Sequence, residues 1–318
     1  MPLETTAVLG YDQDAWDMMT YFSFRPENYY DQLVEIRPTK QSMPGHTVKF
    51  TKTGDLALAT TPLVEDVDVT PVTFTDSKVS VTMLEYGNVV KTTAYLRASS
   101  YIPLNPVVAN VLGYNAGVSI DTIVRDVFHG GTNVRYAGTA TSRATVANTH
   151  LLDAHDVRVA NADLRNANVP TFGGKYAAFI HPHVSVDLRE ESGAAGWREP
   201  HNYTTPEHIW TGEVGSFEGV RFVETPRALR RADSGVGTTP NKADVYDTIF
   251  LGRQAVAKIY PIVSGFGPNP RTVPGPITDN LRRFVPMGWY HLAGWGRFRE
   301  ESIRRVESGS SLDPLTSD

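Results

Sequence analysis

No cysteine occurs among the 318 residues. That excludes disulfides, thiolate metal sites and a cysteine nucleophile, so the fold must be held by burial and association. Charge is sparse as well: Asp, Glu, Lys and Arg make up 20% of the chain and the formal net charge is -5. A surface built wholly to grip nucleic acid is therefore excluded, while local basic patches remain open. Lysine is scarcer than arginine, 8 against 22. Arginine is enriched and lysine depleted at protein interfaces, because the planar guanidinium forks onto carboxylates and is weakly hydrated; genomic codon bias would give the same ratio. The opening MPLETTAVLGYDQDAW has neither a basic nor an apolar leader segment, and no run approaches the roughly 18 consecutive apolar residues of a membrane span. The expectation is a protein made and kept in a cytosol-like compartment, without a membrane.

What is present exceeds one compact core, so two subdomains, or one domain with long excursions, are expected. Residues 1 to about 40 carry Tyr11, Trp16, Tyr21, Phe22, Phe24, Tyr29 and Tyr30. That is too many aromatics for a solvated tail, and reads as an arm needing a surface to lie on. From Gly45 to about Thr93 the apolar period is two, broken at Gly54-Asp55 and turning at Asp76-Ser77. Such a Thr-rich β-ribbon is marginal alone and should lie on something else, for instance another copy of the chain; an ordinary sheet on its own core is the plainer reading. Asn105 as cap, Pro106 at the first position and Val108, Val111, Leu112, Ile120, Ile123, Val124, Val127 and Phe128 predict a long spine helix stopped at Gly130-Gly131. Gly113 and Gly117 within it point to close packing against another backbone.

LLDAHDVRVANADLRNAN predicts a second helix burying Ala154, Val157, Ala160 and Leu164, with Asp153 and Asp156 at its positive end. Tyr176 to Ile180 reads as a strand, and Pro182 opens a helix with Val184 and Leu188 on one side and Gly193 as its stop. TPEHIW is expected as one helical turn, GVRFVETP as a strand, Pro226 to Ala243 as a polar mobile loop, VYDTIFLGRQAVAKIY as a strand running into a helix, Pro261 to Pro276 as a second loop, and Trp289 to Val306 as closing strands.

Chemistry-bearing motifs are few. His181 and His183, with Asp187 four residues on, could form a metal set, but the proline between the histidines points their rings apart and no HExxH is present. The Gly130-Gly131 and Gly173-Gly174 pairs fit helix stops and turns rather than phosphate loops, and VSGFG at 263–267 lacks the helix a nucleophile elbow needs. Arg227, Arg230 and Arg231, and Arg282, Arg283, Arg297, Arg299, Arg304 and Arg305, are the basic concentrations. They could meet phosphates nonspecifically, or Glu300, Glu301 and Glu307 of a neighbour.

Three runs carry a resemblance: GGKYAAFIHP (Gly173 to Pro182) with Asp187-Leu188, GEVGSFEGVRFVETP (Gly212 to Pro226), and VYDTIFLGRQA (Val245 to Ala255). Together with the order of arm, β-excursion, spine helix, strand-turn-helix and closing strands, they resemble the major capsid proteins of tailed bacteriophages, the Hong Kong 97-type fold, and within it the N-four-type capsid family. The likeness runs from about residue 40 to 307 in order. It implies an α+β fold with an N-terminal arm (1–40), an extended β-hairpin loop (41–94), a peripheral domain with the long spine helix (95–148 and 263–318) and an axial domain (149–262). It also implies a non-enzymatic shell subunit without cofactor or metal, forming hexamers and pentamers of an icosahedral shell around DNA. Partners would be identical subunits, packaged DNA held nonspecifically, and portal, scaffolding and decoration proteins; the place would be the virion, after assembly in the host cytoplasm. Subunit-interface residues would be Val48, Phe50, Leu56, Val67, Val69 and Phe74 of the loop, and Arg297, Arg299 and Arg304 near the end. Lys49 and Lys52 lie where the fold's name-giving member crosslinks, but no partner asparagine or activating glutamate is identifiable, so no crosslink is expected. With no scaffolding segment before the arm, a separate scaffold or none is implied. The competing readings are a nanocompartment shell of the same fold and, from another class, a metal-dependent hydrolase using His181, His183 and Asp187.

Overall fold

Helix α2 (Leu104–His129) spans 26 residues, about 39 Å at 1.5 Å per residue. It starts at Leu104, so Asn105 lies in its first turn rather than capping it. Ala109, Leu112, Ala116, Ile120, Val124 and Phe128 form the buried stripe, Gly113 and Gly117 are buried beside it, and Gly130 takes the following turn. Pro106–His129 is long and apolar enough by composition to cross a membrane, but its stripe belongs to the protein core. The computed structural model describes residues 29–36, 47–54, 56–66, 68–99, 104–191, 213–238, 241–261, 267–276, 279–281 and 283–312. Most of the expected arm, the TPEHIW turn and the Gly193 stop fall outside them.

The other helices are α1 (Ala94–Ser99), α3 (Ala154–Asn166) and α4 (Pro182–Glu190). The strands are β1 (Glu35–Ile36), β2 (Thr47–Thr53), β3 (Asp76–Thr82), β4 (Leu84–Thr93), β5 (Val134–Tyr136), β6 (Tyr176–Ile180), β7 (Glu213–Phe217) and β8 (Val220–Glu224), then β9 (Arg230–Arg231), β10 (Gly237–Thr238), β11 (Asn241–Lys242), β12 (Val245–Leu251), β13 (Val256–Ile259), β14 (Arg271–Pro274), β15 (Phe284–Arg297) and β16 (Ile303–Ser308). A seven-stranded sheet runs β5-β16-β12-β6-β8-β7, with β9 also on β12. A five-stranded sheet runs β1-β13-β15-β14, with β4 also on β15. The pairs β2-β3 and β10-β11 stand apart.

The seven-stranded sheet is a wall between two cores, and its central strands show why a run such as YAAFI has no polar face. In β6, Ala177 and Phe179 belong to the core of α2, while Tyr176, Ala178 and Ile180 belong to the core of α3 and α4. With both faces covered, a central strand becomes continuously apolar. Asp153 caps α3 by accepting from the Asp156 N–H at 2.8 Å, and Ala154, Val157, Ala160 and Leu164 are its buried face, as the spacing predicts. Pro182 opens α4 directly after β6.

Several expectations are corrected. Asp76-Ser77 is no turn: it begins β3, paired with Thr53 and Lys52, and the break spans residues 54–75. β4 leaves the ribbon altogether and follows β15 for ten residues. The helix expected after β12 is strand β13, because Val256–Ile259 finds β15 on one edge and β1 on the other and is buried throughout; tertiary pairing overrides local propensity. Residues 226–243 do not form a free loop: β9 pairs with β12, Arg230 bridges Asp244, and Arg231 reaches Asp247 at 2.9 Å. The loop expected to end at Pro276 contains β14. Strand pairing also crosses the expected domain boundaries, since β5 and β16 join the seven-stranded sheet while β13 joins the five-stranded one.

Candidate subunit interface

The ribbon is seated on its own subunit at the base. Side chains alternate along β2 between half-buried and exposed, the half-buried set including Val48 and Phe50. Phe50 meets Phe298 edge to face at 5.7 Å, and the Lys52 ammonium reaches Glu301 at 3.0 Å. From β3, Val81 is buried against β15 at Gly296, where a Cβ would stand 2.5 Å from Val81 Cγ2. The missing side chains of Gly294 and Gly296 let the ribbon cross the sheet this closely, with the Thr82 carbonyl over Gly294.

Beyond Gly54, whose N–H donates to the Thr75 carbonyl at 2.8 Å, the described residues up to Thr75 carry no strand. Leu56, Leu58, Leu63, Val64, Val69, Val72 and Phe74 are all exposed, Leu58 to 88%. Seven large apolar side chains on one loop exceed the scattered exposure that monomers tolerate. Val67 lies outside the described residues. Of the loop residues expected at an interface, Leu56, Val69 and Phe74 thus face solvent, whereas Val48 and Phe50 sit over the subunit's own body.

Arg282 lies outside the described residues; the other arginines of the two clusters are paired within the chain. Arg297 reaches Glu300 at 3.1 Å, Arg299 reaches Glu301 at 3.7 Å, and Arg304 reaches Asp163 at 3.8 Å. Arg305 holds Glu307 at 3.1 Å and Arg227 holds Asp121 at 3.5 Å. Sequence gave the carboxylate partners Glu300, Glu301 and Glu307 but not that one chain supplies both charges.

The histidines come together rather than diverging: the His181 and His183 rings lie 4.8 Å apart, edge to face. Their roles are local. His181 Nδ1 accepts from the His183 N–H at 3.2 Å as the cap of α4, and His183 Nδ1 bonds the Tyr246 hydroxyl at 3.0 Å. Asp187 accepts from Ser310 at 2.8 Å and from Ser311, pinning the segment that follows β16. Among the described residues no group of three or more His, Asp or Glu could hold a metal ion.

Two buried features went unseen in the sequence. Asp121 accepts the Tyr29 and Tyr30 N–H groups at 2.9 and 2.8 Å, and Asp31 holds Lys258 at 2.5 Å and the Trp295 indole N–H at 3.1 Å. These two carboxylates bolt the turn Tyr30–Leu33 to α2 and the five-stranded sheet. Beneath the seven-stranded sheet, Asp247 binds His129 at 3.1 Å and Arg231, while Glu307, its cross-strand neighbour, binds Arg143 at 2.6 Å and Arg305. The only sequence signal for this is charge inside otherwise apolar strands, as in IRRVES.

The phage capsid protein family matches residues 26–311. The chain belongs to that family. The capsid of Ralstonia phage GP4 superposes with a TM-score of 0.74 at 18% identity, covering 92% of this chain and 93% of that one. The Cyanophage Pam1 capsid gives 0.66 at 14% identity, covering 92% and 93%. Mycobacterium phage Che8 gives 0.57 at 14% identity, covering 88% and 90%. No curated protein matches the chain. The fold of this capsid protein is therefore the Hong Kong 97 type, and the chain is a structural subunit of a phage shell found in the virion. The hydrolase reading is not favoured: Asp187, which it needs as a ligand, is already bonded to Ser310 and Ser311.

Proposed function

We propose that this capsid protein assembles in the host cytoplasm into hexamers and pentamers, closing an icosahedral shell around nonspecifically held DNA, and that it does no catalysis. Each subunit lays its 54–75 loop over the next. One observation carries the reading: the loop's large apolar side chains find no cover among the described residues, although the ribbon that bears them is firmly seated. Many such contacts, each modest, add through effective concentration into a stable particle.

Replacing residues 55–74 by Asn-Gly tests this, because Gly54 and Thr75 are already hydrogen-bonded across the ribbon and a two-residue turn closes such a pair. The expected product is a folded subunit with the unchanged helical signal in circular dichroism and no particles in negative-stain electron microscopy. Particles of normal size and yield would refute the intersubunit role of the loop.

A further inference from the structure

Resting on that reading, we infer that the loop's receiver on the next subunit is the outer corner where β4, α1 and the start of β15 meet. Thr93 pairs with Phe284, and the Ala94 N–H donates to the Arg283 carbonyl at 2.7 Å, so the first turn of α1 is fastened to residues 283–284. At this corner Tyr95, Leu96, Leu281 and Phe284 are exposed, Tyr95 to 84%. Lys91 shares their side of the sheet: Val90 and Thr92 turn inward, Val90 onto the α2 core and Thr92 buried, so Lys91 points outward with Phe284.

Charge selects the occupant. Residues 54–75 contain four acidic residues, Asp55, Glu65, Asp66 and Asp68, and no lysine or arginine. Among the described residues the corner's outward side carries Lys91 and Arg283 against one acid, Asp279, which Arg283 holds at 3.2 Å, while Arg97 turns to the inward side and donates to Thr92 Oγ1 at 2.9 Å. An apolar, acidic loop and an apolar, basic corner are complementary surfaces on the same chain, and complementary potentials steer encounter and fix register.

Position makes the contact intermolecular. The ribbon crosses β15 at Gly294 and Gly296, whereas the corner is at Phe284. Ten residues of strand separate them, about 33 Å. A donor at one end of a sheet and a receiver at the other are distinct patches: reciprocal exchange about a two-fold would stop at dimers, whereas head-to-tail contacts close into rings when the rotation allows, and a shell of rings requires the second arrangement.

The absence of cysteine permits a direct test. Val69→Cys and Tyr95→Cys, alone and combined, are assembled as full-length protein and treated with a flexible bis-maleimide. The combined variant should give a denaturation-resistant ladder reaching five or six subunits, and each single variant no more than dimers. Particles from the combined variant without a ladder overturn the receiver while leaving the shell reading intact. Charge reversal decides if that variant does not assemble: Lys91→Glu with Arg283→Glu, or Glu65→Lys with Asp66→Lys, should each lower particle yield at least tenfold, and all four together should restore it. Normal yield from the corner reversal, or no rescue, overturns the receiver. Normal particles from the loop-deleted subunit would instead overturn the proposed function itself.

Discussion

Lys258 and His291 are both buried beside Trp295. Lys258 is 2% exposed and contacts Asp31 at 2.5 Å. His291, equally buried, has its pKa pushed down to about 4, first by burial and then by the Lys258 charge. In the unfolded chain it titrates near 6.5. Between those values the unfolded state takes up a proton that the folded state refuses, so stability is complete above about pH 6.5 and declines as the pH falls toward 4. The full loss from this one group is on the order of 3 to 4 kcal/mol. His291 Nε2 has no hydrogen-bond partner among the described residues, so His291→Phe is expected to be close to neutral at pH 7 and to flatten the fall between pH 7 and 4.5 in urea melts. An unchanged slope would contradict it. Asp247 shows the reverse sign: burial alone would raise its pKa, but the bonds from His129 and Arg231 outweigh burial and hold it below the usual carboxylate range. Asp247→Asn strands buried cations and should lower stability by about 3 to 5 kcal/mol. Glu301→Gln removes the half-exposed partner of Lys52 and should change stability by less than about 1 kcal/mol. Thermal melts of the two variants at pH 7 separate the cases.

Among the elements, the crossing of ribbon and sheet is the least forgiving. Gly296→Val would drive two methyl groups into Val81, already 2.5 Å from a Cβ at that position. Overpacking of this kind costs about 1 to 3 kcal/mol, and the ribbon is the movable partner. The expectation is a subunit that melts a few degrees lower and no longer forms particles; unimpaired assembly would mean that the ribbon's angle does not matter. Elements whose signal is local were legible in the sequence. Period and capping residues placed α2, α3, β6 and the start of α4 within a residue or two, because each has a one-sided or fully covered face that its own spacing declares. What failed was pairing at a distance. Asp76-Ser77 resembles a turn in isolation, yet seven cross-strand pairs with β2 make it strand. QAVAKI suits a helix until β1 and β15 arrive to claim both its edges. The candidate interface divided the same way: loop exposure followed from a ribbon with too little apolar surface to cover itself, whereas the arginine pairs required knowing which carboxylates the fold brings near.

At the scale of the whole molecule, the separation of ribbon and receiver turns a chain into an asymmetric building block, and asymmetry has a signature in mixing experiments. A subunit lacking residues 55–74 still offers a receiver but no donor, so a ring that contains it is open at one contact. If rings of six form by head-to-tail contacts, random replacement of one subunit in six leaves only about a third of rings free of a defective member. Particle yield should therefore fall much faster than the defective fraction, and small arcs should accumulate in sedimentation profiles. A yield that declines only in proportion to the replaced fraction would mean that subunits join through independent, self-complementary patches, and the directional contact drawn from the position of Phe284 relative to Gly294 would be wrong.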